Sequence, residues 1–285
     1  MGLSIQTNYA SLVTQNQLSS TNKSLSTAMQ RLGTGLRINS AADDAAGLQI
    51  ATRLQNQSNG QQVGMRNSQD AISMLQTGEG AMEEMTNIVQ RMKDLATQSA
   101  SDSNTTADRT AMNAEYSELT KELTNITSNT TYGGAKLFGT SGKFEGSVTF
   151  QIGGTSGEKL TLTGTTGTIA AGLIAVSTAL GAAGVTNGVD TLAHAQAAMT
   201  ALDSVLDKIG TVRSAFGANI NRLDHTINNL SNMKENTDTA KGRIMDADYA
   251  AESTNMTKNQ MLMQSGMSVL SNANQMTSLV TSLLR

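Results

Sequence analysis

Few side chains in this sequence could do chemistry. Two histidines, His194 and His225, are the only imidazoles. Neither belongs to an HExxH pattern or to a carboxylate–histidine spacing that would hold zinc. Both fall off the main apolar series of a helix-forming stretch and read as surface or packing positions. Asp43 and Asp44 could share a cation, but two acids at the start of a helix are already explained by its dipole. GTGLRI (33–38) lacks the third glycine of a dinucleotide loop. GGTSGEK (153–159) lacks the spacing and the Lys-Ser/Thr of a phosphate loop, and its glycines read as a hairpin turn. Sixteen methionines raise a copper-binding reading. Most of them, including Met82, Met85, Met92, Met199, Met263 and Met276, lie on helical seams, where thioethers fill irregular gaps. Asn-x-Ser/Thr triplets, among them Asn104, Asn125 and Asn129, are expected by chance in a chain so rich in these residues. Cysteine is absent, which excludes a disulfide framework, a thiolate nucleophile and a zinc ribbon. No enzyme, cofactor or metal site is expected.

The elements that would position such groups are stronger than the groups themselves. Proline is also absent, where a chain of 285 residues at average usage would carry roughly fourteen. Long helices can therefore run uninterrupted. Leu202, Ile209, Phe216, Leu223 and Leu230 recur every seven residues, and Met199, Leu206, Ile220 and Ile227 fill an alternate seam broken only by Arg213. From about 191 to 240 this predicts a rod about 70 Å long at 1.5 Å per residue. A helix of that length calls for coiled-coil partners. Met82, Met85, Val89, Met92 and Ala96 make a second seam; Met112, Tyr116, Leu119, Leu123 and Ile126 make a third. Ser40 with Asp43, and Thr105 with Asp108, have capping-box spacing.

The ends differ in charge. Residues 1–42 contain three bases (Lys23, Arg31, Arg37) and no acid, and 253–285 contain only Lys258 and Arg285. Alone, such segments bury too little to offset ordering entropy and are expected to be disordered in the free monomer. They nonetheless carry a helical period. Leu262, Val269, Met276 and Leu283 are seven apart; Met256, Met263, Leu270 and Leu284 form a second series; Gly266, Ala273 and Val280 complete the stripe. Leu18, Leu25, Met29, Leu32 and Leu36 give the N-terminus a matching period. Residues 133–190 change to Gly, Thr and Ser, with alternation at Val148, Phe150, Ile152, Leu160 and Leu162 that predicts a β-hairpin; loop with short strands is expected from there to about Asp190. The fold class is therefore mainly α: long antiparallel coiled-coil helices from both chain halves, plus a small β-hairpin region. Antiparallel pairing of the two ends is the simplest topology.

Net charge of −3 and a pI near 5.4 argue against nucleic acid as a partner. No apolar run reaches the roughly 20 residues of a membrane span, so no membrane partner is expected. MGLSIQTNYASLVTQNQLSS has neither the basic start nor the apolar core of a secretory signal.

Residues 18–54, LSSTNKSLSTAMQRLGTGLRINSAADDAAGLQIATRL, resemble the N-terminal signature of bacterial flagellin. MLQTGEGAMEEMTNIVQRMKDLATQSA (74–100) is similar to the family's next block, and GRIMDADYAAESTNMTKNQMLMQSGMSVLSNANQ (242–275) to its closing block. The resemblance implies a structural subunit that polymerises with itself into the flagellar filament, used for swimming or swarming. It implies a terminal helical, inner-tube domain from 1–42 and 247–285. The rod domain would be 43–246, with the β-hairpin region at about 133–190. With so short a middle, the chain looks like a minimal form, such as a lateral flagellin.

Further implications concern partners. An export chaperone would bind roughly Asn255–Arg285, over the seam of Met256, Leu262, Met263, Val269, Leu270, Met276, Val280 and Leu283 that also mediates polymerisation. The subunit would leave the cell through the flagellar type III channel without a cleaved signal and meet hook-associated and cap proteins. A host Toll-like receptor would recognise Gln90, Arg91, Leu95 and Glu115, with Arg91 and Leu95 on one helix face; packing of that face against the next subunit is a compatible reading, since a receptor can bind a surface that assembly hides. A hook–filament junction protein of the same superfamily is the alternative. The family's metalloprotease variants require an insert and an HExxH that this chain lacks.

Overall fold

The computed structural model describes residues 8–139, 142–144, 146–162 and 183–283, with side-chain surroundings as far as 276. The order of elements is α1 (Tyr9–Thr34), α2 (Ala45–Ser99), α3 (Thr106–Asn129), β1 (Thr131–Tyr132), β2 (Ala135–Lys136), β3 (Val148–Gln151), β4 (Lys159–Leu162), α4 (Ala183–Thr186), α5 (Leu192–Met245) and α6 (Tyr249–Leu283). Contacts divide the chain into two units, Met1–Asn56 with Asn236–Arg285, and Gln57–Glu235. Helices α2 and α5 contribute residues to both.

In the larger unit α2 and α5 run antiparallel, since Lys93 pairs with Asp203 while Glu79 and Glu83 face Arg213. Met82, Met85, Val89, Met92 and Ala96 are all buried, as are Leu202, Ile209, Phe216, Leu223 and Leu230. The alternate seam of α5 differs from the expected one. Ala198, Val205 and Val212 reach the core, whereas Met199, Leu206 and Ile220 pack half-buried at its edge. The helix is turned by one residue, and this puts Arg213 where its guanidinium can reach both glutamates, at 3.8 and 3.9 Å. Helix α3 packs through Tyr116 and Leu123. Phe144 and Phe216 pack at 5.2 Å between centroids with their rings tilted by 45°, in space that a Cβ on Gly78 would crowd at 3.2 Å from both rings.

Local signals explain most of the ends. Thr105 and Asp108 form a reciprocal capping box at α3. Ser40 and Asp43 do not cap α2. Asp43 instead closes the turn before it, accepting from the amides of Asn39 and Ser40, and the α2 start is capped by Asp44, whose Oδ1 accepts from Gly47 N at 2.8 Å. The adjacent aspartates thus divide the work that the spacing alone assigned to Asp43. Strands β3 and β4 pair antiparallel, Val148 opposite Leu162 and Phe150 opposite Leu160. A second hairpin, β1–β2, turns on Gly133 and Gly134, both at positive φ, as a two-residue primed turn requires. Between β4 and α5, only residues 183–191 fall within the described residues, and these include the short α4; the expected strands lie outside them.

In the smaller unit α1 and α6 pair antiparallel. Asn8 donates to Ala273 O at 2.9 Å, and Arg31 lies 3.3 Å from Glu252. Past the helix end, Arg37 N donates to Met245 O and Ala247 N to Gly35 O, with Gly35 as the left-handed C-cap. Within the ends expected to be disordered, Tyr9–Thr34 and 253–283 are helical here. Each supplies the apolar surface that the other lacks, so the pair buries what neither segment could bury alone.

Candidate functional site

The apolar residues of α6 separate into two faces. Met256, Met263, Gly266, Leu270 and Ala273 turn toward α1 and are buried or half-buried. Ala273 is closed off, and a Cβ on Gly266 would stand 2.6 Å from Leu18 Cδ1. Gly266 thus leaves room for the Leu18 side chain of the partner helix. On α1, Leu25 and Ala28 face the partner helix, and Met29, expected in the seam, points outward. Thr21, Leu25 and Ala28 set the contact line, and Met29 stands about a hundred degrees around the helix from Ala28.

Leu262, Val269 and Met276 form the second face. They are 47%, 51% and 58% exposed, although they follow one another at heptad spacing. Tyr9, Leu12 and Val13 of α1 are exposed as well. Between them Val13, Leu18, Leu262, Gly266 and Val269 line an open groove of about 330 Å³. Single exposed hydrophobic residues are ordinary; here three of them follow at heptad spacing on a helix whose other face is paired. The backbone of α6 continues to Leu283; the side chains of Val280 and Leu283 lie outside the described residues.

Of the four expected recognition residues, the structure joins two directly. Glu115 Oε1 accepts from Arg91 Nη2 at 2.7 Å and from Arg91 Nε at 2.8 Å, across α2 and α3. Both side chains are about half exposed, so the pair contributes little stability. Gln90 is exposed beside them. Leu95 is only 2% exposed and belongs to the core. The i,i+4 relation puts it near Arg91, but the core seam on this part of α2 includes Leu95 and leaves Arg91 outside.

The histidines are placed differently. His194 Nδ1 lies 2.6 Å from Asp190 Oδ1 at the start of α5, and this hydrogen bond holds the Asp190 carboxyl below its usual range. His225 lines a shallow groove with Arg222 and Glu158. Among the described residues, no three His, Cys, Asp or Glu side chains gather in a metal-binding group.

The family model for the bacterial flagellin N-terminal helical region matches residues 5–143, and that for the C-terminal helical region matches residues 199–284. The chain belongs to the bacterial flagellin family. A flagellin of Halalkalibacterium halodurans is 40% identical, covering 90% of this chain and 91% of its own. Polar flagellin F of Vibrio parahaemolyticus is 34% identical over the whole of both chains. A crystal structure of Bacillus cereus flagellin aligns with 58% of this chain and 88% of its own, at 32% identity and a TM-score of 0.48. The flagellin N-terminal match takes in α1, α2 and α3 with the first hairpin. The C-terminal match takes in most of α5 and all of α6.

Proposed function

We propose that this flagellin is a structural subunit that polymerises with itself into the flagellar filament. The observation that carries the reading is the unpartnered apolar series Leu262, Val269 and Met276 on an otherwise paired helix, in a chain of this family. Other copies of the chain would cover that face. The terminal helical domain, 1–42 with 247–285, would form the inner tube and 43–246 the rod. Purified subunits added to sheared filament seeds should elongate them without limit, as seen by electron microscopy. Growth that stops after one layer would favour a junction protein, and no growth would overturn the reading.

Before assembly the same face needs a cover, and we assign that role to an export chaperone on roughly 255–285, with exit through the type III channel and no cleaved signal. Hook-associated and cap proteins would be met at the growing structure. No described helix is long and apolar enough to cross a membrane. Recognition by a host Toll-like receptor would use the exposed Gln90, Arg91 and Glu115, with Leu95 supporting the helix from within. A receptor-reporter assay tests this: Arg91→Ala should lose most of the signal, and an unchanged signal would sink the assignment.

A further inference from the structure

The chain has sixteen methionines and no cysteine or tryptophan, so methionine is its one readily oxidised residue type. The structure sorts the methionines by location. Met74, Met82, Met85 and Met92, all on α2, are buried at 4% exposure or less. The described methionines with about half or more of their surface exposed are Met29 on α1 and Met261, Met267 and Met276 on α6. Accessible thioethers are therefore concentrated on the helix pair, and Met276 lies on the apolar face itself.

We infer that Met261, Met267 and Met276 of α6 are a modification site for hydroperoxides, and that their oxidation stops the free subunit from assembling. The chemistry is a two-electron oxygen transfer. The thioether sulfur attacks one peroxide oxygen, the O–O bond breaks, an S–O bond forms, and the second oxygen leaves as water after taking up the proton. Hydrogen peroxide is reduced and methionine becomes its sulfoxide. A flexible apolar side chain is thereby replaced by a polar one that must keep a hydrogen-bonding oxygen in water. Covering that face with another subunit would strand the oxygen on Met276. The buried α2 methionines keep the larger unit intact, so the damage affects assembly and leaves the fold in place. This step rests on the filament reading given above.

The test uses full-length subunits treated with graded hydrogen peroxide, then split for peptide mass spectrometry and seed elongation. The α6 methionines should oxidise well before Met82, Met85 and Met92. Elongation should fall about tenfold, equivalent to about 1.4 kcal/mol per added subunit. The triple variant Met261→Leu, Met267→Leu, Met276→Leu should keep its own treated-to-untreated ratio within about twofold, whatever its basal rate. If that variant does not elongate at all, treating oxidised wild-type subunits with a methionine sulfoxide reductase decides: recovery supports the site, and no recovery overturns it. Equal oxidation of buried and exposed methionines, or an equal loss in the triple variant, also overturns it. Failure of untreated wild-type subunits to elongate would count against the filament reading, and the order of oxidation would still judge the site.

Discussion

Two residues of α3 show how burial and hydrogen bonding act in opposite directions on ionisable groups. Tyr116 is fully buried, its hydroxyl has no partner among the described residues, and desolvation pushes the phenol well above its usual range. An orphaned polar group opposes folding, so Tyr116→Phe should stabilise the protein by about 1 kcal/mol in chemical denaturation. A fall in stability would mean that the hydroxyl has a partner after all. Asp108 is the converse case. Its carboxylate accepts from the Thr105 hydroxyl and the Thr105 amide, and these bonds hold its pKa below the ordinary 3.8. A depressed folded-state pKa contributes stability that is complete above the unfolded value and is lost as pH falls through the folded one. Protection factors of the amides in the first turn of α3, corrected for the intrinsic pH dependence of exchange, should therefore fall below about pH 4. In Asp108→Asn that acid dependence should disappear.

At the scale of elements, the β3–β4 hairpin sits on α2 because two glycines leave room for its backbone. A Cβ on Gly60 would stand 2.6 Å from Gly154 Cα, and one on Gly64 would overlap the Ile152 carbonyl. Asn67 Nδ2 fixes the same segment by donating to Gln151 O at 2.9 Å. Alanine favours a helix over glycine by about 1 kcal/mol, but forced overlap costs about 1–3 kcal/mol. Gly64→Ala should thus loosen the hairpin, seen as faster exchange of the Ile152 amide that donates to Glu158 O. Gly80, with nothing near its Cβ position, is the control; Gly80→Ala should stabilise by about 1 kcal/mol. If both substitutions act alike, the notch does not hold the hairpin.

For the whole molecule, the filament reading assigns folding and assembly to different faces of one helix. Met263 and Leu270 are consumed by the α1 contact, while Val269 is 51% exposed. A charge at Val269 remains in water in the monomer and would be buried only when another subunit covers it. Val269→Asp should therefore leave the thermal unfolding transition within a few degrees of wild type and abolish filament growth from seeds. Normal filaments from this variant would show that the exposed series is not an assembly face.

Periodicity makes the helices legible in the sequence itself. The seams of α2, α3 and α5, the Thr105–Asp108 box and the β3–β4 alternation all follow from local spacing, because a 3.6- or 2-residue repeat is written into consecutive residues. The Gly133–Gly134 turn is equally local, and the pair of glycines is the signal that marks it. What spacing cannot decide is which of two adjacent apolar stripes faces inward. Met29 and Ala28, Leu262 and Met263, or Arg91 and Leu95 differ by a rotation of the helix, and only the partner helix sets that rotation. The order of the terminal helices is likewise tertiary. Composition alone predicts disorder for each end, whereas Arg31 against Glu252 and Leu18 against Gly266 bring together residues from opposite ends of the chain.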